Sequence, residues 1–356
     1  MARSELVVMT DHSSTEGSRE VLATAVRALT GRSPVLVDAR HYMTGGTGRI
    51  TGTGTPGAGS PRADGSRPDG PRPDGPRAEG PGVGGAGGAL RLEVPAEGIA
   101  VTAEAVLVYE VPPHRRRDFE AFQRLLRDHG ARSLGTDAEA WRTATEKDLT
   151  IERFVRDGIP HMPTVTLSRP TPEAAAEAVD RLGGDVWARP TVGMGGSDVF
   201  HVTTRAQLAA AARHYAEAGT DWLIARDAAN FTPDGRRHQY RVVVLDGRVV
   251  RTVEHVQANP DAPCNECRGA VSTLLEDGEL PGGLAELAVA ATKSLGLPLA
   301  GVDLAAENGG VVFEANVHPV FGSVGGLETV AVPYAAAHLG PAVGPRTPGV
   351  ARQPGA

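Results

Sequence analysis

A strand-like segment near the end of the chain carries polar residues where apolar ones are expected. Residues 311–319 read VVFEANVHP, and Glu314 and Asn316 interrupt the apolar run. A charge within a buried strand is costly unless another group compensates it. Side chains alternate across a strand, so Glu314 and Asn316 lie on the same face. The segment therefore places the Glu314 carboxylate beside the Asn316 amide.

The residues just before this segment supply a second carboxylate. Residues 297–310 read LPLAGVDLAAENGG, an apolar run that leads into Asn308–Gly309. An Asn-Gly pair between two apolar runs is typical of a two-residue hairpin turn. A turn at that pair places Asp303 directly opposite Glu314, and a turn one residue later keeps the three polar residues on one face.

Two carboxylates that face each other across strands repel, and a divalent cation between them removes that cost. Carboxylate and amide oxygens are ligands that Mg²⁺ prefers, with waters and nucleotide phosphates in its remaining positions. Asp303, Glu314 and Asn316 are therefore predicted metal ligands. The alternative is a half-exposed hairpin whose polar residues face water.

Composition excludes several classes of protein. The chain has 356 residues, enough for two or three domains, and a net charge of −7, which argues against nucleic-acid binding. No run of about 18 apolar residues exists and the first twenty residues lack a signal-peptide core, so no membrane span or export is expected. Two cysteines fit a reducing cytoplasm. They form CNEC, Cys264–Cys267, which reads as a loop with two free thiols because zinc would need further ligands.

The first third of the chain indicates an α/β domain with an interruption. Residues 5–9 and 34–38 read as strands around a helix at 16–29, a βαβ start. Residues 44–88 are rich in Gly and Pro, contain the repeat RPDGP, and cannot bury enough apolar area to order themselves. We predict a disordered insertion there, after which strands and a helix at about 117–129 resume.

The remaining two thirds alternate helices and strands. A helical pattern spans 137–157, and helices are also expected at 171–183, 205–218 and 282–295. Strand 185–190 leads into the glycine-rich segment TVGMGGSDVF, and residues 240–256 read as a hairpin that turns at Asp246–Gly247. A tail at 341–356 is predicted to be disordered.

In this order, five segments make residues 134–325 resemble the ATP-grasp superfamily and its RimK-like, glutamate-ligase-like branch. The segments are TEKDLTIERFVRDGIPHMPT, VWARPTVGMGGSDV, QYRVVVLDGRVV, NECRGA and LGLPLAGVDLAAENGGVVFEANVHP. The resemblance implies an α+β fold in which two α+β subdomains grip ATP, preceded by a small α/β domain. It places the N-terminal domain at 1–133 and the ATP-grasp domain at 134–340.

The resemblance implies an ATP-dependent carboxylate–amine ligase. In this family ATP phosphorylates a carboxylate, and an amine attacks the acyl phosphate to give an amide, ADP and phosphate. Such chemistry requires cations and metal ions around the phosphates. The implied cofactors are ATP and two Mg²⁺ ions, with Mn²⁺ as a substitute. The implied partners are small-molecule or peptide carboxylates and amines, and assembly into a homo-oligomer is left open.

The family's nucleotide-binding positions can be carried over one by one. Lys147 matches a nucleotide-binding lysine on the helix before GIPHMPT, and Arg189 stands where the family has a second lysine. Segment 193–197 (GMGGS) matches the flexible loop over the phosphates, because glycine lets backbone N–H groups approach them. Segment LIARDA matches the adenine hinge, with Asp227 as a candidate ribose ligand. The implied nucleotide ligands are Lys147, Arg189, Gly193, Gly195, Gly196, Ser197, Ile224, Ala225, Arg226 and Asp227.

Three further positions match residues near the transferred phosphate. Arg241 begins the apolar part of strand YRVVV, and Asn265 and Arg268 lie in NECRG. Arg268 would stabilise the charge that develops in the tetrahedral intermediate. His318 follows the metal strand and either shapes the substrate pocket or has a structural role. The resemblance also assigns Asp303, Glu314 and Asn316 as Mg²⁺ ligands.

Two departures from the family pattern keep other functions open. Arg189 replaces a lysine, and Ala225–Arg226 replaces the usual Gln-Glu pair of the hinge. These changes motivate a nucleotide-binding protein without ligase activity as one alternative. An enzyme that modifies a ribosomal peptide shares the same site and is another. A dehydrogenase is excluded, because no G-x-G-x-x-G follows the first strand.

Overall fold

The computed structural model describes residues 5–52, 90–128, 132–321 and 325–339. Most of the predicted insertion and the predicted tail at 341–356 lie outside these residues. Within the described part, the prediction of a disordered segment from residue 44 is wrong at 49–52. These residues form a strand that pairs with residues 90–94, and Ile50 packs against the core. One apolar side chain in a paired strand is enough to order this edge.

The N-terminal domain is a mixed sheet covered by two helices, α1 (Ser18–Thr30) and α2 (Arg116–Asp128). Strands β1, β2, β5 and β6 are parallel, as the βαβ pattern predicts, while β3 and β4 extend the sheet in antiparallel fashion. The strands are β1 (Glu5–Thr10), β2 (Val35–Asp38), β3 (Arg49–Gly52), β4 (Leu90–Val94), β5 (Ile99–Val108) and β6 (Arg132–Leu134).

The helix predicted at 137–157 is two helices, α3 (Ala138–Thr145) and α4 (Lys147–Asp157). The single-helix prediction is wrong because the hydrogen bonds at the junction go elsewhere. The Thr150 hydroxyl donates to the Thr143 carbonyl at 2.8 Å, and the Lys147 backbone N–H donates to Thr191 at 2.9 Å. Glu146 is extended, with its carboxylate held by Arg116 at 2.6 Å. The break sets Lys147 at the start of a helix that faces the glycine-rich loop.

A four-stranded sheet follows, in the order β7-β10-β8-β9, with α5 (Pro172–Arg181) and α6 (Arg205–Ala218) packed on one face. Pro172 follows the N-cap Thr171, and a capping box at Thr204 begins α6, so both helices start where their sequences indicate. The strands are β7 (Thr164–Leu167), β8 (Val186–Pro190), β9 (Phe200–Val202) and β10 (Trp222–Arg226).

The last sheet is antiparallel, in the order β13-β12-β11-β14-β15, and α7 (Leu284–Leu295) packs against it. The predicted hairpin turn at Asp246–Gly247 is confirmed, with φ of 47° and 74° at the two residues. The strands are β11 (Arg237–Leu245), β12 (Arg248–Gln257), β13 (Val271–Leu274), β14 (Leu299–Ala305) and β15 (Val311–Asn316).

The N-terminal domain and the last sheet share hydrophobic cores. Tyr109, at the end of β5, stacks on Phe321 and donates a 2.6 Å hydrogen bond to the Pro319 carbonyl. Helix α8 (Val332–Leu339) packs against α1. The three sheets with their helices confirm the predicted α+β organisation, and the boundary at residue 133 stays a prediction. In the part of the chain that the structure describes, no helix is long and apolar enough to cross a membrane.

Candidate active site

The β14–β15 hairpin brings the predicted metal ligands together. Asp303 lies directly opposite Glu314, and the Asn316 amide donates to the Asp303 carboxylate at 3.2 Å. The predicted turn is wrong, because the last pair is Ala305–Val311 and the connection spans five residues. A bulge at Phe313 adds the residue that restores the predicted register.

Cationic side chains of the protein compensate the two carboxylates. Arg241 on β11 grips Asp303 through both guanidinium branches, at 2.7 and 2.9 Å. Lys147 Nζ lies 3.1 Å from Glu314 Oε1, and Arg189 Nη1 lies 3.5 Å from Glu314 Oε2. The expectation of an uncompensated repulsion between the carboxylates is therefore wrong. Three positive charges meet two negative ones, which leaves an excess of positive charge for an anion.

The neighbouring charges and burial shift the pKa of Glu314 and the pKa of Arg241. Burial raises the pKa of Glu314, but Lys147 and Arg189 outweigh it and hold that pKa below its usual range. Burial lowers the pKa of Arg241, but the Asp303 carboxylate outweighs burial, and the net shift is upward. Glu314 is therefore an anion and Arg241 a cation at neutral pH.

Lys147 and Arg189 also hold the surrounding backbone. Lys147 Nζ donates to the Gly193 carbonyl at 3.2 Å, at the start of the glycine-rich loop. Arg189 Nη2 donates to the Phe313 carbonyl at 2.8 Å, so the bulge residue of β15 receives a bond from β8. The Arg189 Nε is buried and makes no hydrogen bond. Both cations line one cavity, which agrees with their predicted role beside a nucleotide.

The glycine-rich loop closes over this cavity and touches the 263–268 loop. Gly196 has a φ of +65°, and a Cβ at this position would lie 3.3 Å from Pro263 Cγ. Arg268 Nε donates to the Gly196 carbonyl at 3.1 Å. Glycine is needed at 196 both for its backbone conformation and for this close approach. Gly193, Gly195 and Ser197 line the same cavity, as predicted.

Asn265 lines the cavity, whereas Arg268 does not line it and reaches the Gly196 carbonyl of the glycine-rich loop. The Asn265 side chain accepts from the Cys267 backbone N–H at 2.9 Å and caps a short turn that carries Arg268. Asn265 lines the cavity together with Arg241. The predicted free thiols are confirmed, with Cys264 buried and Cys267 exposed.

Part of the predicted hinge lines the cavity, and its contact with the adenine stays a prediction. Ala225 and Arg226 line the cavity. Ile224 faces the core of the four-stranded sheet instead. The Asp227 carboxylate is already engaged by Arg237 Nη1 at 2.8 Å, the Trp187 indole at 2.5 Å and the Ala229 N–H at 2.6 Å. Asp227 therefore positions its neighbours and is not available as a ribose ligand.

Sequence reasoning missed several residues that line the cavity. Trp187 shares the face of Arg189 on β8, while Arg237 and Gln239 share the face of Arg241 on β11. The signal was present, because residues two apart on a strand point the same way. The Arg237 guanidinium carbon lies 4.9 Å from the centre of the Trp187 ring.

Two cavities meet at Glu314 and Asn316. The first, of about 1120 Å³, lies between the four-stranded and five-stranded sheets. The second, of about 1040 Å³, lies between the five-stranded sheet and the N-terminal domain. Glu16 and Glu110 of that domain line it, together with Trp141 of α3. Residues that line both cavities include Lys147, Arg241, Asn265, Glu314 and Asn316.

His318 and Glu16 lie in the wall of the second cavity, away from the first. The His318 ring packs 4.6 Å from Tyr109 and 5.1 Å from Trp141 between ring centres, and burial lowers its pKa to about 3. His318 is thus a neutral wall residue. Burial, and then the neighbouring Glu110, raises the pKa of Glu16. The second cavity combines aromatic walls with carboxylates.

The residues present fit a divalent cation. Asp303 and Glu314 are opposed on adjacent strands with the Asn316 amide beside them, and this set of oxygen ligands suits Mg²⁺.

Comparisons with solved structures give the fold. D-cycloserine synthetase DcsG has a TM-score of 0.61 at 18% identity and covers 94% of this chain and 98% of its own. The ATP-grasp ligase PsnB, complexed with precursor peptide PsnA2 and AMPPNP, has a TM-score of 0.58 at 15% identity, with 95% and 98% covered. The D-alanine–D-alanine ligase from Bacillus anthracis has a TM-score of 0.55 at 14% identity, with 89% and 88% covered.

Sequence comparison gives the family. Among curated proteins, no sequence matches the chain significantly. The model of the RimK-like ATP-grasp domain matches residues 144–328, which include the glycine-rich loop, the cations and the metal-ligand hairpin. The chain belongs to the RimK-like ATP-grasp family and is an ATP-dependent ligase.

Proposed function

We propose that the protein joins a carboxylate to an amine through an acyl phosphate, with ATP in the first cavity and the two substrates in the second. The observation that carries this proposal is the meeting of both cavities at Glu314 and Asn316. A phosphate that leaves a nucleotide in one cavity thereby reaches an acceptor in the other. Positioning of this kind is the main requirement of phosphoryl transfer.

The first cavity holds the nucleotide. Lys147 and Arg189 contact the phosphates, and the glycine-rich loop closes over them with its backbone N–H groups. Asp303, Glu314 and Asn316 would hold two Mg²⁺ ions, for which Mn²⁺ would substitute. When bound, these ions neutralise the charge on the transferred phosphate. Ala225 and Arg226 border the base, while Trp187 and Arg237 complete that wall.

The chemical step depends on the residues between the cavities. Arg241 and Asn265 line both of them and orient the transferred phosphate. Arg268, which joins the glycine-rich loop in this structure, carries positive charge to the acyl phosphate and stabilises the oxyanion of the tetrahedral intermediate.

The second cavity suits an amino acid or a short peptide. Its lining includes the carboxylates Glu16 and Glu110, the cations Lys147 and Arg241, and the aromatic ring of Trp141. Such a site offers partners for an ammonium group and for a carboxylate. A residue within a ribosomal peptide is a second substrate class, supported by the likeness to PsnB, which binds a precursor peptide.

An ADP-release assay tests the proposal. The protein is incubated with ATP, Mg²⁺, amino acids and short peptides, and a coupled assay reports ADP. We expect ADP release that depends on an amine and a carboxylate, and loss of this activity in Asp303→Asn. ATP binding without ADP release under every condition would instead support the nucleotide-binding protein without ligase activity.

A further inference from the structure

A buried histidine with a free ring nitrogen lines the substrate cavity. His255 on β12 is only 4% exposed and lines the second cavity together with Glu314 and Asn316. Its Nε2 is buried and has no hydrogen-bond partner. Buried polar atoms are nearly always paired, so an orphan nitrogen in a cavity wall indicates a partner that the bound substrate supplies.

The other ring nitrogen determines which proton His255 carries. His255 Nδ1 lies 2.6 Å from Ser272 Oγ, and Ser272 in turn contacts Glu266 Oε1. An ionised carboxylate only accepts, so the Ser272 hydroxyl gives its single proton to Glu266. Ser272 must then accept from His255, which places the ring proton on Nδ1. Nε2 is left with a lone pair and no partner, on a ring that lines the cavity.

We propose that His255 is the general base of the ligation step, positioned by Ser272 and Glu266; this role rests on the proposed ligase function. The amine nitrogen attacks the acyl phosphate carbon and forms the new C–N bond. His255 Nε2 accepts the proton that the nitrogen loses. The C–O bond to the phosphate breaks, the phosphate departs with the electron pair, and the proton on His255 passes to it. The products are an amide and hydrogen phosphate, so atoms and charge balance.

The charges around His255 suit this role. Burial, and then Arg241, lowers the pKa of His255, while Asp303 and Glu266 act in the opposite direction and Arg251 assists the lowering. The ring is neutral at neutral pH and ready to accept a proton. Once the ring is charged, Glu266 stabilises it through Ser272, the arrangement in which a third group orients a base.

A spectroscopic test needs no substrate. Protein labelled with ¹⁵N-histidine is measured at pH 7, and the His255 signals are assigned by their loss in His255→Gln. We expect a protonated Nδ1 and an unprotonated Nε2 in the wild type. Ser272→Ala, on a partly exposed edge strand, should give a mixture of tautomers, and Ser272→Thr should restore the wild-type pattern. A proton on Nε2 in the wild type would overturn the proposal.

A kinetic test distinguishes the role of His255 as a general base from the ligase activity of the protein. The twenty L-amino acids, D-alanine and the same short peptides are mixed with ATP and Mg²⁺, with or without hydroxylamine. Hydroxylamine is a weak base whose nitrogen is mostly unprotonated at pH 7, so it needs little help from a base. We expect His255→Gln to lower amide formation at least about 100-fold and hydroxamate formation less than about tenfold. His214→Gln, at a partly exposed histidine paired with Asp198, is the matched control and should change neither.

Each kinetic outcome decides one question. Equal losses in both arms, or no loss of amide formation, would contradict the role of His255 as a base while leaving the ligase activity intact. Absence of ADP and hydroxamate in the wild type would contradict the ligase function and, with it, the base; the tautomer measurement would still report on the geometry.

Discussion

Replacing Glu314 with Gln removes one charge from the centre of the site at nearly constant shape. A hairpin in which two carboxylates merely repel predicts that this variant is at least as stable as the wild type. The structure predicts the opposite. The Glu314 side chain is 28% exposed and lies within 3.5 Å of two cations whose side chains are 9% and 15% exposed. Removing the carboxylate leaves Lys147 and Arg189 without an anionic partner.

The size of the effect follows from these contacts. Removing one partner of a fully buried ion pair costs about 3–5 kcal/mol. The glutamine side chain of the variant would keep one acceptor oxygen, the site is partly hydrated, and Arg189 retains its bond to Phe313. The expected loss in the free energy of unfolding is therefore roughly 1–2 kcal/mol, which lowers the melting temperature by about 2–5 °C.

Melting curves at pH 7, with and without Mg²⁺–nucleotide, measure both consequences. Ligand that binds only the folded state stabilises it by about 2.7 kcal/mol at one hundred times Kd, and Glu314→Gln should lose most of that gain. Glu217→Gln, at an exposed position of α6, is the matched control for the loss of a charge. A metal-free Glu314→Gln protein that melts at or above the wild-type temperature would show that the Glu314 carboxylate does not stabilise the fold through Lys147 and Arg189.

The same variant has a predictable pH dependence. The pKa of Glu314 is lowered in the folded protein, so its stabilisation is complete above the unfolded value of 4.5 and is lost as pH falls through the folded value. The stability difference between wild type and Glu314→Gln should therefore be constant near neutral pH and shrink below about pH 4.5. A constant difference down to pH 3 would show that the cations do not hold this carboxylate ionised.

Three further predictions concern the nucleotide. Arg189→Met should weaken ATP binding by ~1.5–3 kcal/mol in calorimetry while Arg189→Lys retains measurable binding, and equal affinities for wild type and the Met variant would contradict a phosphate contact. Gly196→Ala should lower ATP affinity more than Gly235→Ala. Both glycines have positive φ, but a Cβ at 196 would lie 3.3 Å from Pro263 whereas a Cβ at 235 meets nothing within 4 Å. Equal losses of ATP affinity would show that the contact with Pro263 has no effect. Replacing residues 53–88 with a short Gly-Ser linker should leave ATP binding unchanged, since loop length costs little closure entropy, and loss of binding in a folded variant would refute this.

The carboxylate hairpin shows what the sequence can and cannot predict. The apposition of Asp303 and Glu314 is predicted by counting back from a two-residue turn, and it is confirmed although that turn is wrong. The predicted two-residue turn is three residues shorter than the observed connection, in which Asn308, Gly309 and Gly310 all adopt positive φ, and the bulge at Phe313 restores the register. Bulges depend on what the strand meets elsewhere, here Arg189 of β8, and a local pattern carries no record of it.

The errors in the helices and the hinge have the same origin. The 137–157 pattern is helical throughout, but Thr191, distant in sequence, accepts the Lys147 N–H, and the Thr150 hydroxyl donates to the Thr143 carbonyl that this N–H would reach in a continuous helix. Asp227 has the residue type of a ribose ligand, yet Arg237, Trp187 and the Ala229 N–H already contact its carboxylate. Residue type and order predict which elements carry the chemistry, whereas tertiary contacts decide which side chains remain free for a ligand.

Transfer of an oxygen atom from the substrate carboxylate to the released phosphate is the direct signature of an acyl phosphate intermediate. The amino-acid mixture is labelled with ¹⁸O in its carboxyl groups and incubated with ATP and Mg²⁺, and the inorganic phosphate is analysed by mass spectrometry. A reaction through an acyl phosphate breaks the bond between the carboxyl carbon and its oxygen, so we predict one ¹⁸O atom in each phosphate released together with ADP. Unlabelled phosphate, or release of AMP and pyrophosphate in place of ADP, would contradict this account.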